Sequence, residues 1–543
     1  MAERSAHVDT FARDLLPPRE VWPVLDVAAL PELAYPPRFN CAAELVDRWV
    51  ERDRGDRPAI RFPGGTWTYR ELMERANRIA HVLVSDLGLV PGNRVLLRGY
   101  NGPMMAAAWL AVLKAGGIVV ATMPLLRARE LAYVIDKAQI ALALCDHRLG
   151  AELEAASLEV TCLTTRVTFG GDGDDTLDAM MRDKPAHFDN VDTAADDLAI
   201  IGFTSGTTGR AKGTMHFHRD ILAACDCFPK YVLEPTADDI FIGSPPLAFT
   251  FGLGGILLFP LRVGASTVLL EQATPPFLLQ GIQDYRVSIV FTAPTAYRAM
   301  TALVEDFDLS SLKKCVSAGE HLPLATFQQW RAKTGIEIID GIGSTEMLHM
   351  FISSSGTEIR PGATGKPVPG YRAKIVDDEG NEVPVGQVGN LAVQGPTGCR
   401  YLDDVDRQRM YVKNGWNLPG DSYRMDVDGY FWYQARTDDM IVSSGYKISG
   451  PEVENALLEH ACVSECGVVG VADEERGQVV KAFVVLREGT APPSDALAKE
   501  LQDFVKSVLA PYKYPRQIEF VDRLPRTETG KLQRFRLRTA EST

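Results

Sequence analysis

The chain has 543 residues, 46% hydrophobic and 24% charged, with a formal net charge of −14 and 9 cysteines. That length exceeds the roughly 250–300 residues at which one core stops growing, so two or more domains are expected. The acidic balance argues against a broad nucleic-acid surface. The scattered cysteines, with Cys225/Cys227 and Cys462/Cys466 the only close pairs, form no zinc or disulfide framework and fit a reducing cytoplasm.

From Met1 to Asp14 the chain is polar, without the apolar stretch of a signal peptide. Residues 1 to about 40 are Pro-rich and are expected to wrap over a domain surface. Thr68-Tyr69-Arg70-Glu71 is a capping-box pattern, followed by apolar residues at helical spacing from Leu72 to Leu83. The longest apolar run, Met104 to Leu126, is broken by Lys114 and Gly116-Gly117. It reads as a buried helix and then a buried strand, not a membrane span. Strand and helix alternate in this way to about residue 340, which predicts mainly parallel sheets covered by helices. From Tyr371 to about residue 435 short strands and turns predict a small β unit, and Arg436-Thr437-Asp438-Asp439 reads as a linker. The last hundred or so residues have an α+β pattern of their own, with Pro451 opening one helix and Ser494 capping another. The predicted boundaries are 1–437 and 438–543.

Thr204-Ser205-Gly206-Thr207-Thr208-Gly209-Arg210-Ala211-Lys212-Gly213 crowds glycines and hydroxyls against a lysine. Glycine admits close backbone approach, successive N–H groups can face an anion, and lysine adds a point charge. The stretch is a polyphosphate cradle by composition. A P-loop does not fit, because Ala211 precedes Lys212 and Gly213 follows it. The flanks, Leu198 to Phe203 and Thr214 to His218, read as two strands, and their alternation predicts one of His216 and His218 facing in and the other out. Neither histidine has the companions a metal site needs. Ser317-Ala318-Gly319-Glu320 and Asp340-Gly341-Ile342-Gly343-Ser344-Thr345-Glu346 follow strand-like runs, at strand ends where open α/β sheets bind ligands. Asp421 follows a tight turn from Gly415, and Pro525-Arg526-Thr527-Glu528-Thr529-Gly530-Lys531 puts a lysine after a glycine near the C-terminus.

In this order and spacing the motifs resemble the acyl-adenylate-forming superfamily: acyl- and aryl-CoA synthetases, peptide adenylation domains and beetle luciferases. The resemblance runs from about residue 40 to 540. Asp340 to His349 and Thr364 to Tyr371 look like the benzoate–CoA ligases and their 2-aminobenzoate relatives, and Pro246 to Gly255 is closer to the 2-aminobenzoate branch. Ile342 stands where many members have tyrosine, a departure the benzoate branch shares.

The resemblance implies an α/β fold. A large N-terminal domain holds two helix-covered sheet subdomains and a β-barrel-like subdomain, and a hinge joins it to a small mobile domain. It implies ATP, Mg²⁺ and coenzyme A as reactants and cofactors, no membrane or nucleic-acid partner, and a monomer or homodimer. Thr204, Ser205, Gly206, Thr207, Thr208, Gly209 and Lys212 are expected at the β- and γ-phosphates. Gly319, Glu320, Asp340, Gly341 and Ile342 are expected to frame the adenine, Thr345 the α-phosphate, Asp421 and Arg436 the ribose. Glu346 is the expected Mg²⁺ ligand and Lys531 the lysine of adenylation. Asp438 matches the hinge, and Ser444 and Gly445 the pantetheine tunnel. Phe249, Thr250, Phe251, Ala293, Pro294, Tyr297, Met347, Leu348 and His349 are candidates for the acyl pocket, where Thr250 or a neutral His349 would accept from a ring amine. The implied reaction is ligation of a small aromatic acid, foremost 2-aminobenzoate, to coenzyme A through an aryl-adenylate. The alternatives are benzoate as the acid, a carrier protein as the acceptor, or a non-catalytic adenylate binder. The last sits poorly with Lys212, Glu346, Asp421, Arg436 and Lys531 together, since binding alone does not require a mobile lysine.

Overall fold

The strand–helix alternation of the first 340 residues folds into two sheets. The structure, a computed structural model, describes residues 4–204, 211–443, 446–473, 476–509, 511–526 and 532–539. In the first sheet the strands run Thr165–Phe169, Leu142–Asp146, Arg94–Arg98, Ile118–Thr122, Leu198–Thr204, Lys212–Phe217. All neighbours are parallel except the last pair, an antiparallel hairpin. Parallel strands need crossovers, and the helices supplying them bury both faces. Pro103–Lys114 is the most enclosed, with every residue from Met105 to Lys114 buried. Lys114 is tolerated there because Asp47 accepts from its Nζ at 2.6 Å through both oxygens and Asn190 accepts at 3.2 Å.

The second sheet has nine strands, with a parallel centre of Ser266–Val268, Ile240–Gly243, Ile289–Thr292, Lys314–Ser317 and Ile338–Gly343. Ile338–Gly343 pairs in parallel only as far as Asp340, then antiparallel with Met350–Ser353. Asp340 therefore stands at the C-terminal end of the parallel part, the expected ligand edge. Arg372–Val376, Val388–Gln394, Asp421–Met425 and Phe431–Arg436, with two short strands, form the antiparallel third sheet. After the turn Thr437–Asp439 a fourth sheet begins, built on the long hairpin Val463–Asp473 and Gly477–Leu486. This is the expected fold class.

The local signals hold. Thr68 caps Tyr69–His81 with a complete capping box, and the Ser494 side chain accepts from Leu497 N at the head of Asp495–Val508. The nine cysteines are free thiols, eight of them buried. Among the described residues no helix is long and apolar enough to cross a membrane, and no cluster of three metal-ligating side chains occurs.

Candidate active site

The edges of the first two sheets and the third sheet bring one cluster of charged side chains together. Thr204 and Lys212 close the hairpin opposite each other, with residues 205–210 between them outside the described residues. Lys212 is half-buried, and burial lowers the pKa of its amine. Arg407 and Arg436 lower it further, while Glu346 opposes them. Three cations thus converge with Glu346, and with Asp421 on Arg436, which suits a polyanion with a metal counter-ion.

Thr345 and Glu346 sit in a tight turn that the fold holds from several sides. Leu348 has φ 69°, a left-handed conformation costly for a leucine and kept only where its surroundings overdetermine it. Thr345 O accepts from Leu348 N at 3.1 Å and from His216 Nε2 at 2.8 Å. Thr397 Oγ1 donates to Met347 O at 2.7 Å. Gly202, on the neighbouring strand, is where the turn lands: a Cβ there would stand 2.8 Å from Thr345 Cγ2. The Tyr401 hydroxyl donates to Glu346 Oε1 at 2.8 Å. Burial, with the Glu346 charge, pushes that hydroxyl's pKa far up, so it stays a donor.

His216 and His218 are both 0% exposed, which corrects the in-and-out expectation. Residues two apart in a strand share a face, so alternation does not separate this pair; the strand ends at Phe217, and His218 opens the buried helix His218–Asp226. Its Nδ1 accepts from Cys41 N at 3.2 Å, so its proton sits on Nε2.

The expected adenine-side residues gather at the strand ends. Gly319 has φ 87° just past Lys314–Ser317. Asp340 Oδ1, Glu320 Oε1 and Ser317 Oγ are shut off from solvent without a well-formed hydrogen bond, while Glu320 Oε2 accepts from Thr295 Oγ1. Burial pushes the Asp340 carboxyl well above the usual carboxylate range, against the Gly341 N–H and the Ser317 hydroxyl. Such orphaned atoms fit a ligand carrying an exocyclic amine, as ATP does. Gly341 is held to glycine by Met350 Sδ and Ile352 O, 2.9 and 3.0 Å from where a Cβ would lie. Ile342 is half-buried beside them. Asp421 accepts from Arg436 Nη1 at 3.1 Å through both oxygens. Arg436 ends its strand directly before the turn containing Asp438.

The acyl-pocket candidates divide. His349 is enclosed by Phe228, Phe251 and Phe259, with ring centroids 5.8, 5.9 and 4.5 Å away. Neither ring nitrogen has a well-formed hydrogen bond, and burial pushes its pKa down to about 3. Gly254 admits the imidazole, since a Cβ there would come within 2.3 Å of His349 Cδ2. The Gly254–Leu258 turn is a π-helix, a feature frequent at functional sites. Phe249 and Thr250 begin the short helix ahead of it, and Met347 is buried in the same cluster. Ala293 and Pro294 open the helix Pro294–Thr301. Tyr297 is a correction. Its ring packs on Trp330 at 5.0 Å in a separate core cluster, and its hydroxyl donates to Val316 O at 3.0 Å. Its position one helical turn past Ala293 carries it into the helix layer.

Ser205, Gly206, Thr207, Thr208, Gly209, Ser444, Gly445 and Lys531 lie outside the described residues, and the Asp438 side chain with them. Sequence reasoning missed Tyr401, Arg407 and the buried Asp220–Arg400 pair. None stands in a motif, and Asp220 and Arg400 are far apart in the chain.

His218 and His349 predict a pH dependence of stability. Both are neutral in the fold, with pKa values pushed down to about 3 by burial, against about 6.5 in the unfolded chain. Their contribution is therefore complete above about pH 6.5 and lost as pH falls toward the folded value, by about 2 kcal/mol per ring at about pH 5. The urea midpoint should fall from about pH 7 to about pH 5, and His218→Gln should flatten that slope while lowering the neutral midpoint.

A charged cluster at the C-terminal strand edges, buried oxygens suited to an exocyclic amine and a smaller C-terminal domain following it together fit an enzyme that activates acids with ATP. The chain belongs to the AMP-binding enzyme family: residues 46–400 match the AMP-binding enzyme model, and residues 452–531 match the AMP-binding enzyme C-terminal domain. Its relatives include the benzoate–CoA ligase of Thauera aromatica, 37% identical over 516 residues, covering 94% of this chain and 98% of that one. Among solved structures it is similar to the anthranilate CoA ligase AuaEII in complex with anthranoyl-AMP, with TM-score 0.89, 34% identity and coverage of 95% and 100%. A benzoate CoA ligase from Burkholderia xenovorans superposes with TM-score 0.84, 34% identity and coverage of 92% and 100%. The chain is an AMP-forming acid–thiol ligase that uses ATP and coenzyme A.

Proposed function

We propose that the acid is a small aromatic carboxylate, 2-aminobenzoate before benzoate, and that the acceptor is coenzyme A. The observation carrying the choice of acid is His349, a neutral imidazole without a well-formed hydrogen bond inside an aromatic cage. Aromatic walls suit a flat ring, and an imidazole nitrogen can accept from the ring amine, whose burial without a partner would cost about 1–3 kcal/mol. Thr250 is the second candidate acceptor. Benzoate is the alternative acid, favoured by the 37% identical ligase.

In the first half-reaction a carboxylate oxygen attacks the α-phosphorus of ATP, the bond to the β-phosphate oxygen breaks and pyrophosphate leaves. Lys531 bridges the substrate carboxylate and the α-phosphate, orienting one and neutralising the other. Thr345 contacts the α-phosphate, and Lys212 with the loop from Thr204 restrains the departing pyrophosphate. Asp421 and Arg436 hold the ribose. Tyr401 occupies one oxygen of Glu346, whose second oxygen has no hydrogen bond from the described residues. Glu346 so fits a Mg²⁺ ligand, the ion supplying charge neutralisation on the phosphates. The small domain then turns about Asp438. The coenzyme A sulfur, guided past Ser444 and Gly445, attacks the acyl carbon; AMP leaves and the thiol proton goes to solvent.

The test is a panel of small aromatic acids, following pyrophosphate release and thioester formation with coenzyme A or a carrier protein. The preference for 2-aminobenzoate over benzoate, as a ratio of kcat/KM, should fall about tenfold in His349→Phe, and by less in Thr250→Val. An unchanged ratio in either variant removes that residue from the account.

A further inference from the structure

Glu465 lies on the long strand Val463–Asp473 of the C-terminal sheet, away from every motif. Its two oxygens are shared between two guanidinium groups: Arg298 Nη2 stands 2.7 Å from Oε1, and Arg526 Nη2 donates to Oε2 at 2.7 Å. Burial pushes the Glu465 carboxyl up, but the two arginines win and hold it below its ordinary value.

The two arginines belong to different bodies. Arg526 is bridged antiparallel to Leu532, the residue that follows Lys531 in the chain. Arg298 is on the helix Pro294–Thr301 of the large domain. The first turn of that helix is tied to the expected adenine side through Thr295 Oγ1 and Glu320. Among the described residues, Arg298–Glu465 is the one ion pair between the two domains. Two other side-chain bonds between them among the described residues are neutral: Asn455 with His321 at 3.3 Å, and Ser449 Oγ donating to Gln434 O.

We propose that Arg298 and Glu465 are positioning residues for adenylation, an ionic latch that holds the small domain on the large one during the first half-reaction and opens when the small domain turns. This rests on the two-step reading above. The two halves of the bridge differ in fate. Glu465 and Arg526 travel together, whereas Arg298 stays with the large domain. The side chains of Arg298 and Glu465 are 28% and 27% exposed, so the pair remains in reach of water. An exposed pair of this kind is worth little on its own, which suits a contact that must break in every cycle.

The test uses the full chain in three variants: Arg298→Lys, Arg298→Ala and Arg298→Glu. One arm measures ATP–pyrophosphate exchange, and thioester formation from a supplied aryl-adenylate and coenzyme A. Arg298→Glu should lower kcat for adenylation about tenfold or more, the equivalent of one lost and one repulsive contact. KM values should hold and thioester formation should be undiminished, with Arg298→Ala intermediate and Arg298→Lys close to the parent. A second arm needs no acid. Spin labels at Leu158→Cys and Val508→Cys, both on exposed sites, report the distance between the domains. Arg298→Glu should broaden that distribution. Equal loss of both half-reactions, an effect confined to the KM of the acid, or an unaltered distance distribution would overturn the latch. If no aromatic acid supports exchange in the parent protein, the proposed substrate class falls while the distance measurement still decides the latch.

Discussion

Lys531→Ala is expected to suppress adenylation by about 100-fold or more while leaving the conversion of supplied aryl-adenylate to thioester within a few-fold of the parent. Two anions must approach each other at the α-phosphate, and removal of one preorganised donor at such a centre typically costs about 10²–10³ in rate. The second step has different demands. Its electrophile is already an activated acyl group, and in the proposed cycle the small domain that carries Lys531 has turned away from it. Pyrophosphate release and single-step thioester formation, measured on the same folded variant, check this. A similar loss in both steps would mean that Lys531 holds the nucleotide rather than promoting its attack. Glu346→Gln should slow the first step too, but its defect should respond to Mg²⁺ concentration while that of Lys531→Ala should not.

The largest effect on stability is expected from Arg400→Met. Arg400 and Asp220 are both 0% exposed and joined through Nη2 and Oδ2. The guanidinium also stacks on Phe217 and Trp22, 4.1 and 5.4 Å from the ring centroids. Burial pushes the Asp220 carboxyl up, but Arg400, joined by His216 and Arg219, outweighs it and keeps its pKa low. Removing the arginine leaves a buried carboxylate unpaired, at a cost of about 3–5 kcal/mol. Without Arg400 the folded pKa should rise above the unfolded value near 3.9, so the destabilisation should grow as pH rises above about 4. Asp220→Asn added to Arg400→Met should recover much of the loss, because the charge that needed a partner is gone. Urea unfolding at several pH values reads all three outcomes. The pair also bears on catalysis. Asp220 Oδ2 stands 3.8 Å from His216 Nδ1, and His216 Nε2 holds the carbonyl of Thr345 at 2.8 Å. Adenylation by Arg400→Met should therefore fall even where the protein is fully folded.

Much of the fold was legible because its signals are local. The capping boxes, the run of buried residues ending in Lys114 and the alternation of strand with helix each depend on residues within one turn or one strand. The stretch from Thr204 to Gly213 and the strand-end motifs stood out for the same reason: a loop meant to approach phosphate needs its glycines, hydroxyls and lysine in consecutive positions. The reading of His216 and His218 failed because residues two apart in a strand share a face, so alternation does not send one in and the other out; the strand ends at Phe217 in any case. Tyr297 failed differently, because the sequence placed it near Ala293 while a helical turn carried it into another core cluster.

By itself the sequence determined the family and the alternation of strand with helix, and it singled out the residues expected at the phosphates, since all of these are written in contiguous spacing. Only the tertiary structure decided which groups hold those residues in place. Tyr401 meets Glu346 across 55 positions, Arg400 meets Asp220 across 180, and His216 meets Thr345 across 129. Arg298 and Glu465 are similarly remote in sequence. Such pairs form because backbone packing brings buried polar groups together and the low dielectric makes each one need a partner. No local pattern encodes which partner that will be.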